Sequence, residues 1–183
     1  SNNNNKKKET LDINIANLGD SGFIIVDSQG NVRKESIPQT KGFNFPFQLG
    51  GKGAESDLPN DADIYQIHLN NNEVLILGTD GLFDNLFTHE IAKITNQFLI
   101  KQEENQIKDQ DLLNSLAYTI AKNAFDRSKE KRIITPFARE AMNFGYRDFQ
   151  GGKEDDITVV VCMANDTDTD GNKQQSHHIN SKL

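Results

Sequence analysis

The chain has 183 residues, 35% of them hydrophobic, which suits one domain, or part of a larger one, with a buried core. Its 20 Lys+Arg against 27 Asp+Glu leave a net charge of -7, and this argues against nucleic acid or an anionic membrane as the main partner, since both require a basic face. One cysteine, Cys162, excludes an internal disulfide and fits a reducing compartment, and no apolar run approaches the ~20 residues of a transmembrane segment.

Residues 1–10 are an Asn/Lys-rich lead with nothing to bury and read as disordered. Ile13 and Ile15 then alternate with polar residues, and Gly22-Phe23-Ile24-Ile25-Val26 is a more continuous apolar run. Both read as strands, with Asp20 at their junction and a short strand at Val32 after the turn Asp27–Asn31. Lys41 to Asn60 reads as an irregular flap whose aromatics Phe43, Phe45 and Phe47 pack down. Its Gly-Gly-Lys-Gly piece is not a phosphate loop, because no Ser or Thr follows the lysine.

Asp63 to Leu69 alternates as a strand, and Asn70-Asn71-Asn72 turns the chain into Glu73-Val74-Leu75-Ile76-Leu77, which predicts an antiparallel hairpin. Val74 to Leu77 are apolar at successive positions, as in a strand covered on both faces. That strand runs directly into Gly78-Thr79-Asp80-Gly81-Leu82-Phe83-Asp84-Asn85. Thr88 is positioned to cap a helix with Ile91, Ile94, Phe98 and Leu99 on one face. From Asp111 a broader stripe, Leu112, Leu113, Leu116, Ala117, Ile120, Ala121, Ala124 and Phe125, predicts a second helix facing the core. Thr135-Pro136 reads as an N-cap and first helical residue, with Gly145 ending that short helix. Gly151-Gly152 then delivers Asp155-Asp156 onto a β-branched strand in which Cys162 is a buried, inert thiol. Residues 165–183 are a polar tail, read as disordered. Asp166, Asp168, Asp170 and Gly171 match half of a calcium loop, but its last position is His177 where a bidentate glutamate is needed.

Three acidic sites share one context. Asp20, Asp80 and Asp155 with Asp156 each stand at the end or start of an apolar strand with a glycine within three residues. Taken singly, each is an ordinary turn residue. Converging from strand ends, they form an oxygen-only site of the kind Mg2+ or Mn2+ prefers, and none of the four histidines has the context of a zinc ligand. Such a site predicts metal-dependent hydrolysis of a phosphoryl group, against the alternative of three unrelated turns.

The stretches Asn17-Leu18-Gly19-Asp20-Ser21-Gly22-Phe23, Thr79–Asn85 and Gly151–Val159 resemble, in order and context, the later motifs of the type-2C metal-dependent protein serine/threonine phosphatases, the PPM family. Pro46-Phe47-Gln48-Leu49 and Pro136-Phe137-Ala138 look like its mitochondrial-matrix branch. The resemblance covers Ile13 to Met163. It implies an α+β fold, part of a four-layer α/β/β/α sandwich of two mainly antiparallel sheets with outer helices. It makes residues 11–164 the C-terminal portion of a phosphatase domain. By position, Asp80 and Asp155 would hold one ion of a binuclear Mg2+ or Mn2+ centre and Asp20 with Asp80 a weaker third ion. Asp156 would support the ligands from behind and Asp84 would brace the turn. The substrate implied is a phosphoserine- or phosphothreonine-bearing protein, and the compartment the mitochondrial matrix, otherwise the cytoplasm.

The family's first-half motif Asp-Gly-x-Gly-Gly, whose aspartate bridges both metals, does not occur in this sequence. The expectation is therefore a chain inactive alone, completed by an N-terminal segment or another protein. The alternative is a catalytically inactive structural or binding subunit of a larger mitochondrial assembly.

Overall fold

The computed structural model describes residues 11–50, 56–105, 109–165 and 179–182. The first alternating stretch is strand β1 (Leu11–Asn17) and the apolar run after Asp20 is β2 (Gly22–Val26). Asp27 shapes the next turn by accepting the main-chain N–H groups of Gln29 and Asn31, both at 2.9 Å, and β3 (Val32–Glu35) follows. The flap contains the short strands β4 (Thr40–Gly42) and β5 (Phe45–Pro46), paired with each other. After β6 (Asp63–Leu69) comes β7 (Val74–Gly78), which ends in a one-turn helix, α1 (Asp80–Phe83). Helices α2 (Thr88–Asn105), α3 (Asp109–Ser128) and α4 (Pro136–Asn143) precede β8 (Thr158–Met163) and β9 (Ile179–Lys182).

β6 and β7 do not form the predicted hairpin. β6 pairs antiparallel with β1, Leu11 opposite Leu69 and Asn17 opposite Asp63, whereas β7 lies between β2 and β8 in a sheet of order β3-β2-β7-β8-β9. Burial explains the separation. β6 buries Ile67 and Leu69 but exposes Gln66 and His68, so it needs cover on one face; Val74, Leu75 and Ile76 of β7 are buried on both. The crossing between the sheets is held by buried Glu73. Its carboxylate takes Arg33 through Nε and Nη2, both at 2.7 Å, and the main-chain N–H of Asn70 at 2.8 Å.

Alternate residues of β2 feed opposite cores. Ile24 and Val26, with Val74, Ile76, Val159 and Val161, meet Ile91, Leu99, Leu113, Leu116 and Ile120 of α2 and α3. Phe23 and Ile25, with Leu75, meet Ile13, Ile15, Ile67 and Leu69 of the two-stranded sheet. The fold is α+β with antiparallel sheets stacked face to face and helices outside the larger one. The fourth layer of the expected sandwich has no counterpart among the described residues, where Asp12, Asn14, Gln66 and His68 on the outer side of the β1–β6 sheet are exposed. Within the stretch read as a disordered tail, Ile179–Lys182 instead adds to the sheet as β9 beside β8. The lead 1–10 and the calcium-like stretch with His177 lie outside the described residues.

The flap packs less completely than its aromatics suggest. Phe43 docks against Phe137, Tyr146 and Phe144 with centroids 5.0, 5.2 and 5.9 Å away, but Phe45 and Leu49 are exposed.

Candidate metal centre

The sheet register decides where the acidic residues meet. Gly22 at the start of β2 stands opposite Gly78 at the end of β7, and Gly78 stands opposite Val159 near the start of β8. The loops holding Asp20, Asp80 and Asp155-Asp156 therefore leave the same end of the sheet. Thr79 ties two of them together: its hydroxyl donates to the Asp156 carbonyl at 2.9 Å and accepts the Thr158 N–H at 3.1 Å. Gly81 permits the close approach, since a Cβ there would sit 2.5 Å from the Asp156 carbonyl oxygen. Gly19, at φ +93°, turns the chain just before Asp20, a conformation that a residue with a side chain rarely adopts.

At the centre of the cluster is an ammonium group. Lys153 Nζ lies 2.8 Å from Asp80 Oδ2, 2.8 Å from Asp84 Oδ2 and 3.3 Å from Asp155 Oδ2. The other oxygen of Asp80 accepts the Gly81 N–H at 2.8 Å, and that of Asp155 accepts the Asp156 N–H at 2.8 Å. Buried Asn85 positions the lysine's main chain, accepting its N–H at 3.0 Å and donating to its carbonyl at 2.8 Å; the same amide nitrogen also donates to the Gly81 carbonyl at 2.9 Å. One side chain thus joins α1 to the Gly151–Asp156 loop.

The electrostatics are those of crowded negative charge. Burial pushes the Asp84 carboxyl up to about 6, Asp80 and Asp20 push the same way, and the Lys153 hydrogen bond opposes them. Asp20 is raised by burial and then by Asp80, with Asp155 adding to the effect. Glu140 on α4 is raised by burial and then by Asp20, which brings a further carboxylate into the field. For Lys153, burial disfavours the charge, but hydrogen bonds to Asp80 and Asp84 outweigh it and keep the ammonium protonated far above its ordinary range. Beside Asp20 opens a cavity of about 240 Å³ walled by Phe23, Phe83, Leu86, Phe87 and Pro136.

The chain is similar to curated type-2C phosphatases and to a solved phosphatase structure. It is 38% identical over 149 residues to "Probable protein phosphatase 2C 55" of Arabidopsis thaliana, covering 81% of this chain and 30% of the relative. It is 35% identical over 159 residues to "Protein phosphatase PTC7 homolog" of Xenopus laevis, covering 82% of this chain and 50% of the relative. The X-ray structure of the photosystem II phosphatase PBCP superposes with a TM-score of 0.69 at 27% identity, covering 84% of this chain and 59% of that one. The chain belongs to the type-2C protein phosphatase family.

No family model matches the chain. It spans half or less of the length of these curated relatives. Among the described residues, no group of three carboxylate, imidazole or thiolate side chains is arranged to hold one metal ion. The donor set nevertheless fits in kind the hard cations of a type-2C phosphatase: Asp80 and Asp155 each have one oxygen braced by main chain and the other turned to a shared positive charge. Asp80, Asp84 and Asp155 are brought together directly, and Asp20 is coupled to them through its charge. Asp84, expected to brace the turn, turns its partly buried carboxylate to Lys153. Asp156 meets the site only through its main chain, its carbonyl accepting from Thr79 and its N–H donating to Asp155, and its side chain is exposed. Sequence reasoning missed Lys153, Asn85 and Glu140. The available signal was a lone cation inside the acidic Gly151–Asp156 motif.

Proposed function

We propose that the chain forms one part of a metal-dependent protein serine/threonine phosphatase. In this reading Asp80 and Asp155 hold one Mg2+ or Mn2+ ion, and Asp20 with Asp80 holds a weaker one. The observation that carries it is the register Gly22–Gly78–Val159, which delivers all three aspartates to one end of the sheet. Metal ions bound there would acidify a water and polarise a phosphoryl oxygen, the chemistry required to hydrolyse phosphoserine or phosphothreonine directly. The chain's own residues present carboxylate oxygens, align them through Thr79 and Asn85, and restrict the rotamers of Asp80 and Asp155 through main-chain N–H groups.

The sequence has no Asp-Gly-x-Gly-Gly, so the other side of the centre comes from an N-terminal segment or a second protein. The test pairs two assays on phosphoseryl peptides with Mn2+. The 183-residue chain alone is inactive, whereas the same chain completed by a partner bearing that motif turns over. The completed enzyme loses at least about 100-fold on Asp80→Ala, the upper end of the loss seen when even a ligand's supporting residue is removed. Robust turnover by the isolated chain would contradict the need for completion; unchanged turnover in Asp80→Ala would remove the metal assignment.

A second reading, an inactive binding subunit, is favoured by one observation: the Lys153 ammonium already sits among Asp80, Asp84 and Asp155. A completed chain that neither binds Mn2+ nor turns over would select it. The Pro46–Leu49 and Pro136–Ala138 stretches support the mitochondrial matrix as the compartment, checked by fractionating cells that express the tagged full-length protein.

A further inference from the structure

We propose that Lys153 is a built-in counter-ion that occupies the cation position of the acidic cluster and competes with a divalent ion for the same oxygens. This rests on the metal-centre reading above. Asp80 and Asp155 have each committed one oxygen to a following main-chain N–H, and the oxygen that remains on each faces Lys153 Nζ, at 2.8 and 3.3 Å. A metal ion approaching those oxygens meets an ammonium already seated between them. Only the side chain delivers that ammonium. Asn85 holds both the N–H and the carbonyl of Lys153, so its main chain stays in place. The side chain is 18% exposed and can therefore leave toward solvent along its own stem. The Phe137 ring, 5.4 Å from Nζ, already faces the ammonium in its seated position.

The test titrates Mn2+ into the full 183-residue chain by calorimetry and electron paramagnetic resonance. Lys153→Met removes the charge, and Lys153→Arg retains it. A double variant, Lys153→Met with Asp84→Asn, also removes the buried carboxylate that the single change would leave unpaired. Lys153→Met binds Mn2+ about tenfold more tightly than the unsubstituted chain, as expected when a like charge a few ångströms away is deleted, and the double variant, which also loses a nearby carboxylate, gains less. Lys153→Arg shows no gain. In the unsubstituted chain, Mn2+ speeds reductive methylation of Lys153, read by peptide mass. Equal affinity in all four proteins, or methylation indifferent to Mn2+, overturns the counter-ion while leaving the metal site standing. Absence of Mn2+ binding in every protein, and again when each is completed by a partner bearing Asp-Gly-x-Gly-Gly, overturns both.

Discussion

Asp84 is a carboxylate whose charge the fold opposes and a single lysine sustains. Its folded-state value, raised to about 6 by burial, lies above the unfolded value near 4, so its ionisation costs stability. Folded chains hold the extra proton between those values. The Asp84 contribution therefore becomes less favourable as pH rises from about 4 to about 6 and is flat above that. In chelator-treated protein, Asp84→Asn should remove that part of the slope, measured by urea unfolding at several pH values; an unchanged slope would rule the group out. Asn85→Ala removes the amide that clamps Lys153 and leaves main-chain groups unpaired, with an expected loss of about 1–3 kcal/mol in the same assay. At this scale the aspartates were legible because the same context, an acid at the end or start of an apolar strand with a glycine nearby, recurs three times. Asn85 and Lys153 were not: their partnership spans 68 positions, and nothing local to either predicts the other.

Helix α4 illustrates an element whose ends were readable and whose purpose was not. Thr135 caps it as predicted, its hydroxyl accepting the Ala138 N–H at 3.1 Å, but the same hydroxyl donates to the Gly151 carbonyl at 2.8 Å. The Phe137 N–H donates to the Asp84 carbonyl at 3.0 Å, so the helix start is also a strut between α1 and the Gly151 loop. Thr135→Ala should cost about 1–2 kcal/mol, toward the upper end for a cap because the group is buried, as measured by thermal or urea melts. Thr135→Ser should restore most of it. α2 begins differently from the expectation that Thr88 caps it: Thr88 is its first residue, and Glu90 reaches back to accept the Phe87 N–H at 2.9 Å.

Across the whole molecule, the two sheets are unequally protected. β7 is enclosed by β2 and β8, while β1 and β6 form a two-stranded sheet whose outer edges have no strand neighbour among the described residues. Leu11 and Ile64 on that sheet are 49% and 66% exposed. Such edges invite added strands. Hydrogen exchange on the isolated chain should show β1 and β6 amides exchanging at least about tenfold faster than those of β2 and β7, the difference shrinking once the enzyme is completed. Equal protection in the isolated chain would contradict a need for completion. The large core facing α2 and α3 should behave as the stable unit, with Leu116→Ala costing about 2–5 kcal/mol in the same melts.

By itself the sequence determined the strands β1 to β3 and β6 to β8, the two core-facing helices and the candidate acids, because each follows from periodicity or from neighbours a few residues away. Only the tertiary structure decided which strands pair and what stands between the acids. Asn70–Asn72 reads as a hairpin turn, yet β6 needs one covered face and β7 two, and that difference sends them to separate sheets. Asp80 read as a turn residue and then as a metal ligand. Its immediate partner is a lysine 73 positions away, held there by the burial of Asn85 and the bareness of Gly81, and this pairing exists only when the two loops are folded together.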